Sequence, residues 1–144
     1  ENIVLKKYIN IGVAVDTPNG LVVPVIKDAN EKSIKELARE LTTLSSKARD
    51  KKLLPADMEG GCFTISSLGG IGGTYFTPII NPPEVAILGI SRSTSEPVFM
   101  EGKLRKRMIL PFALSYDHRL IDGAAAARFT SNFGQLLSNF EEIT

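Results

Sequence analysis

The sequence holds one cysteine, one histidine and no long apolar run, and each shortage removes a class of protein. Cys62 alone closes no disulfide within the chain and builds no cysteine-based metal site, so no metal centre is expected. Beside a strand-like run its thiol reads more simply as a small buried hydrophobe than as a nucleophile. The apolar stretches are far too short to cross a bilayer as a helix. A net charge of +1 supplies no field that would draw nucleic acid or an anionic membrane. Lys103, Arg105, Lys106 and Arg107 do cluster, but their plainer reading is a solvated turn between strands. The chain opens on Glu1-Asn2, without the basic segment and apolar core of a signal peptide. A cytosolic or organelle-matrix protein fits. Ile3 to Val15 reads as strand from the outset, with no initiator methionine, which suggests a fragment cut ahead of a strand.

What remains is an ordinary domain composition: 144 residues, 43% hydrophobic and 23% charged, enough to bury a core. Tyr8 to Asp16 alternates, with Ile9, Ile11, Val13 and Val15 on one face. Thr17-Pro18-Asn19-Gly20 supplies a reversal, and Leu21 to Ile26 resumes as the second strand of a hairpin. Pro24 demotes that strand to an edge or implies a bulge. Ser33 to Lys51 predicts a helix. Ile34, Leu37, Ala38, Leu41, Leu44 and Ala48 recur at helical spacing, and Ser33 with Glu36 forms a capping-box pattern. Strands follow at Cys62–Leu68, Val85–Ile90, Pro97–Met100 and Lys103–Ser115. Asp122 to Phe140 predicts a last helix, with Ala126, Phe129, Phe133, Leu136, Leu137 and Phe140 as its buried stripe. About six strands in hairpin-like succession, with two helices covering one face, make an α+β layered mixed or antiparallel sheet rather than a doubly wound one. No repeat or domain boundary interrupts it.

Three segments bear on chemistry. The glycine run at 69–73 lacks the dinucleotide fingerprint, because Tyr75 stands where the third glycine belongs and Phe76-Thr77-Pro78 cannot open a helix. Such a run lets backbone pass close to a ligand or another chain, or simply makes a tight connection. Ser66 and Ser67 lack the flanking glycines of a nucleophile elbow. Ser66 ends a strand before a glycine loop, where a hydroxyl could donate to an oxyanion. The plainer reading is a strand-end serine bonded to backbone. His118 lies where a long strand gives way to a helix, flanked by Asp117 and Arg119. An imidazole with a pKa of about 6.5 can take a proton from a thiol of about 8.5. Adjacent strand side chains point to opposite faces, so Asp117 is a poor partner for it. Asp122 reads equally as N-cap of the following helix or as support for His118.

Ser115-Tyr-Asp-His-Arg-Leu-Ile-Asp-Gly123 resembles the D-H-R-x-x-D-G signature of the dihydrolipoyl acyltransferases, the E2 components of 2-oxoacid dehydrogenase complexes. The segments at 10–25, 63–74 and 80–89 match the same family in the same order, so the resemblance covers nearly the whole chain. It implies a chloramphenicol acetyltransferase-like fold. It also implies transfer of an acyl group between a dihydrolipoyl thiol and coenzyme A. His118 would be the base on the thiol, Ser66 the oxyanion donor and Asp122 a supporting acid. In some relatives the position of Asp122 carries asparagine. The glycine loop, with Gly69, Gly70 and Thr74, would lie near coenzyme A at a channel between subunits of a homotrimer. Trimers would build a larger cubic core joined by the E1 and E3 components. The loop resembles that of bacterial acetyltransferases of the pyruvate complex. A bacterial chain would be cytoplasmic, and a eukaryotic one would lie in the mitochondrial matrix. The family's catalytic domain extends further at its amino end. The chain is thus expected to be the carboxy-terminal part of that domain, at 1–144, without the lipoyl and subunit-binding domains; the lipoyl group would ride on a separate domain. Two other readings stand beside transfer: a non-catalytic assembly core, and a serine-type thioester hydrolase passing through acyl-Ser66.

Overall fold

A computed structural model describes residues 3–139. Nine strands and two long helices follow in the order β1 (Ile11–Val13), β2 (Val15–Thr17), β3 (Gly20–Val22), β4 (Val25–Ile26), α1 (Ile34–Arg49), β5 (Phe63–Ser67), β6 (Ala86–Ile90), β7 (Thr94–Met100), β8 (Lys103–Ile109), β9 (Phe112–Tyr116) and α2 (Gly123–Ser138). The main sheet has the order β4-β1-β5-β6-β9, while β2-β3 and β7-β8 form separate two-stranded ribbons. β5 runs parallel to β1 and to β6, and the two outer pairs, β1–β4 and β6–β9, are antiparallel. The architecture is α+β with a mixed sheet, as expected.

Several boundaries moved, each for a local reason. Ile3 to Asn10 is not strand, and Ile3, Val4 and Leu5 stand in solvent. The alternating run that follows is two strands in two sheets, because the chain leaves the main sheet at Ala14. Pro24, fully buried, separates β3 from β4, and β4 is an edge strand, as its proline requires. Lys103–Ser115 is likewise not one strand. Pro111 cannot donate to a ladder, and the chain passes there from the β7–β8 ribbon into the main sheet. The basic cluster is therefore the exposed strand β8 and not a turn; the turn is Glu101-Gly102, both with positive φ.

α1 carries the capping box read from its sequence. Ser33 Oγ accepts from the Glu36 amide, and the Glu36 carboxylate accepts from the Ser33 amide at 2.8 Å. Its Leu44 and Ala48 are buried, but Ile34 at its start is half exposed. α1 packs against β2 and against the edge strand β4 of the main sheet, and α2 packs against β9 at the opposite edge. The Phe63 and Phe129 ring centroids are 6.0 Å apart, and Phe112 meets Phe133 edge-on at 5.2 Å. Of the expected α2 stripe only Ala126 is buried, and Phe129, Leu136 and Leu137 keep 40–49% of their surface exposed. For Leu136 and Leu137 length explains it: sixteen helical residues span about 24 Å, whereas five strand residues span about 17 Å. The last turns of α2 overhang the sheet. Phe140 lies outside the described residues.

Candidate active site

The turn between β9 and α2 carries His118. Its backbone is fixed from both sides. The Asp117 carbonyl accepts from the amides of Leu120 and Ile121, each at 3.0 Å. The Asp117 carboxylate accepts from Arg119 three ways: from its amide at 3.0 Å, from Nε at 3.0 Å and from Nη2 at 2.6 Å. These side-chain hydrogen bonds from Arg119, before its charge, hold the Asp117 carboxyl down at about 2. Asp117 thus serves Arg119 and not the imidazole, in line with its expected unfitness as an orienting group. At the other end Asp122 caps α2, its Oδ1 accepting from the Ala125 amide at 2.7 Å. The N-cap reading of Asp122 is therefore correct, and no hydrogen bond joins it to His118 among the described residues. The imidazole itself is exposed, with the Tyr116 ring tilted beside it at 5.7 Å.

Ser66 stands next to last in β5, opposite Gly89 of β6. A Cβ on Gly89 would come within 2.8 Å of the Phe76 ring and 3.0 Å of Pro78. Only glycine lets the 76–78 segment cross the sheet on the face that Ser66 shares. That face is opposite the one covered by α2. Beyond Ser67 the glycine run makes a compact turn and opens no helix. The amides of Ile71 and Gly72 both donate to the Leu68 carbonyl at 2.9 Å. A Cβ on Gly70 would meet nothing within 4 Å, whereas one on Gly69 would touch the Ser91 carbonyl at 3.4 Å. Thr74 follows in the same open loop. Cys62, half-buried just before β5, exchanges hydrogen bonds with the backbone of Asn10, which suits a structural thiol.

Register keeps Ser66 and His118 of one chain apart. Ser66 lies beside Gly89, near the end of β6, while the Asp117 amide donates to the Val85 carbonyl, before β6 begins. β9 runs antiparallel to β6, so His118 leaves the sheet at the end opposite Ser66. Four residues along a strand and two strand spacings across put the two backbones roughly 15–20 Å apart. A hydrogen bond needs about 3 Å. No motion within a five-residue strand closes that gap.

Sequence reasoning missed the Asp117–Arg119 clamp, although an acid and an arginine two apart in a turn were there to be read. It missed Glu84 as well. This carboxyl is 9% exposed, and it accepts a 2.5 Å hydrogen bond from Thr64, whose own exposure is 0%. No helix among the described residues is long and apolar enough to cross a membrane.

The whole chain, residues 1–144, matches the model of the 2-oxoacid dehydrogenases acyltransferase catalytic domain. It is 61% identical over 143 residues to the dihydrolipoyllysine-residue acetyltransferase component of the pyruvate dehydrogenase complex of Cupriavidus necator, covering 99% of this chain and 26% of that protein. A solved structure of Azotobacter vinelandii dihydrolipoamide acetyltransferase is similar at 59% identity and a TM-score of 0.92, over 96% of this chain and 57% of that one. The cubic core of a pyruvate dehydrogenase multienzyme complex is similar at 58% identity, with the same TM-score of 0.92 and the same coverage, 96% and 57%. The chain thus spans about a quarter of the curated relative and rather more than half of the solved chains. In the Azotobacter enzyme a serine, a histidine and an asparagine were investigated for their part in the catalytic mechanism. That serine and histidine stand as far apart in their chain as Ser66 and His118 do here, and the asparagine falls where this chain has Asp122. By motif, fold and full-length match, the chain belongs to the 2-oxoacid dehydrogenase acyltransferase catalytic-domain family.

Proposed function

We propose that this chain carries acetyl transfer between the thiol of a dihydrolipoyl group and coenzyme A. The substrates would meet between subunits, at His118 of one copy and Ser66 of the next. The observation that carries the reading is the pairing of matched residues with unmatched places. Ser66 and His118 reproduce the interval of the serine and histidine studied in the Azotobacter enzyme, yet the sheet register holds them apart within one chain. A head-to-tail contact between copies resolves this. Such a contact closes into a ring, here a homotrimer. The similarity to a cubic core supports trimers as the units of a larger assembly, with E1 and E3 components bound around it.

The steps follow from the residues. The His118 imidazole takes the proton of the attacking thiol. The thiolate attacks the thioester carbonyl carbon, and the carbonyl oxygen becomes an oxyanion that accepts a hydrogen bond from the Ser66 hydroxyl. Collapse breaks the original carbon–sulfur bond, and the departing thiolate takes the proton back from His118. Asp122 and the Asp117–Arg119 pair hold the turn that presents the imidazole. Gly69, Gly70 and Thr74 lie in the loop just beyond Ser66, open at Gly70, which suits contact with coenzyme A. The lipoyl group would arrive on a separate domain, and the protein would work in the bacterial cytoplasm.

Complementation of subunits tests this. His118→Ala and Ser66→Ala proteins, each nearly inactive, are unfolded together in equal amounts and refolded. In a ring, a complete site forms wherever a Ser66→Ala copy lends its histidine to a His118→Ala copy, on the order of a quarter of the sites. Acetyl transfer from acetyl-coenzyme A to dihydrolipoamide should return to about that fraction. No recovery in mixed particles of normal mass would place both residues in one chain's site and defeat the proposal. Acylated Ser66 recovered after reaction would favour the hydrolase-like route instead.

A further inference from the structure

Glu84 lies in the segment between the 76–78 crossing and β6, with its carboxyl turned into the sheet. Two glycines make room for it: a Cβ on Gly61 would stand 2.4 Å from Glu84 Oε1, and one on Gly12 would stand 2.7 Å from Thr64 Oγ1. Thr64 donates to Glu84 Oε2 at 2.5 Å, and it is the partner that the described residues give this carboxyl. The charged group nearest by field is Lys6, whose ammonium donates to the Gly61 carbonyl at 2.6 Å. Burial, outweighing the Thr64 hydrogen bond, raises the carboxyl above the usual range.

A buried carboxyl is an expensive way to hold two segments together, because an apolar pair of the same volume does so without desolvating a polar group. What a hydrogen bond adds is direction. Thr64 and Ser66 are two apart in β5 and so project from the same face. The bond from Thr64 to Glu84 ties that face to the loop leading into β6, immediately upstream of the serine. We propose that Glu84 is a positioning residue, which through the Thr64 hydroxyl sets the height at which β5 presents Ser66. The inference rests on the oxyanion role of Ser66 proposed above. An oxyanion donor works only within a few tenths of an ångström of its distance, and a displacement near 1 Å is felt as an order of magnitude or more in rate.

Steady-state acetyl transfer in the assembled protein tests it. Glu84→Ala should lower kcat about tenfold or more while KM for acetyl-coenzyme A and for dihydrolipoamide stays within about twofold. Thr64→Val, which removes the other half of the same bond with little change of shape, should do the same. Should Glu84→Ala fail to assemble, Thr64→Val carries the readout. Glu84→Gln still offers Thr64 a carbonyl oxygen and should recover most of the rate. On a Ser66→Ala background Glu84→Ala should cost no more than about a further twofold, since the two act as a unit. Full kcat in Glu84→Ala and Thr64→Val would overturn the proposal. So would a Glu84→Gln protein as slow as Glu84→Ala, or an undiminished loss on top of Ser66→Ala. Ser66→Ala at the wild-type rate would fail the oxyanion reading first, and would leave Glu84 nothing to position.

Discussion

The turn after β9 is tied by side chains, whereas the turn after β5 is held almost wholly by backbone. Around His118, a carboxylate grips an arginine, a carbonyl takes two amides, and a second carboxylate caps the next helix. Around the glycine run, two amides share the Leu68 carbonyl, and beyond that lie a 3.5 Å bond from Arg92 to Gly73 and a 3.4 Å bond from Gly69 to Ser67. The first turn has little freedom and points an imidazole outward. The second offers open space above Gly70, Gly72 and Gly73. The proposed base must be presented at a fixed angle, which suits a support that is local and polar. A donor in a regular strand is already aimed by the sheet, so the loop beyond it is free to receive a substrate.

Substitutions can break or sharpen this contrast. The largest effect belongs to the two groups proposed to carry the chemistry: His118→Ala should lower kcat by about 10²–10⁴, and Ser66→Ala by about 10²–10³. Both should leave particle mass unchanged. Near-normal turnover in either variant would remove that residue from the chemistry.

Next comes the clamp. Asp117→Asn loses the charge-assisted bond to Arg119 and should cost about tenfold in kcat by loosening the imidazole. It should also change acid stability. The depressed carboxyl contributes stability that is complete above the ordinary value of about 3.9 and is lost as pH falls through about 2. Urea midpoints of the wild type should therefore drop across that window more steeply than those of Asp117→Asn. Parallel curves would mean that the pair does nothing for the fold.

Smallest are the loop changes. Gly70→Ala should shift stability by no more than about 0.5 kcal/mol, since its Cβ enters open space. Gly72→Ala, at a φ of +143°, should cost about 1 kcal/mol or more through strain. Thermal melts separate the two, and equal costs would deny that the loop is open at Gly70.

How much could be read in advance depended on whether the signal was local. The capping box of α1, the cap at Asp122 and the edge character forced by Pro24 are short-range patterns, and all three read true. The parallel partners of β5 left no trace in its alternation, because they lie far along the chain, Thr64 pairing with Ile87 and Phe63 with Ile11. Pro111 was a local signal passed over, and it cost the division between β8 and β9. Ile3-Val4-Leu5 misled through apolarity alone: those side chains stand in solvent and pair with no strand. At the candidate site, the proposed base was legible as a lone histidine between charges in a turn. The serine was not, because nothing in a strand-end hydroxyl by itself distinguishes a backbone bond from the oxyanion donor proposed here.

The cap of α2 can be made by either of two side chains. An N-cap asks for an oxygen acceptor at one spot and is indifferent to whether a carboxylate or a carboxamide supplies it. The Azotobacter enzyme has an asparagine, the amide counterpart, at the interval where this chain has Asp122. Acid and amide can thus cap the helix alike, without re-siting the histidine four residues before the cap. What the two chains share there is an oxygen acceptor at a helix start, supplied with a charge in one and without it in the other.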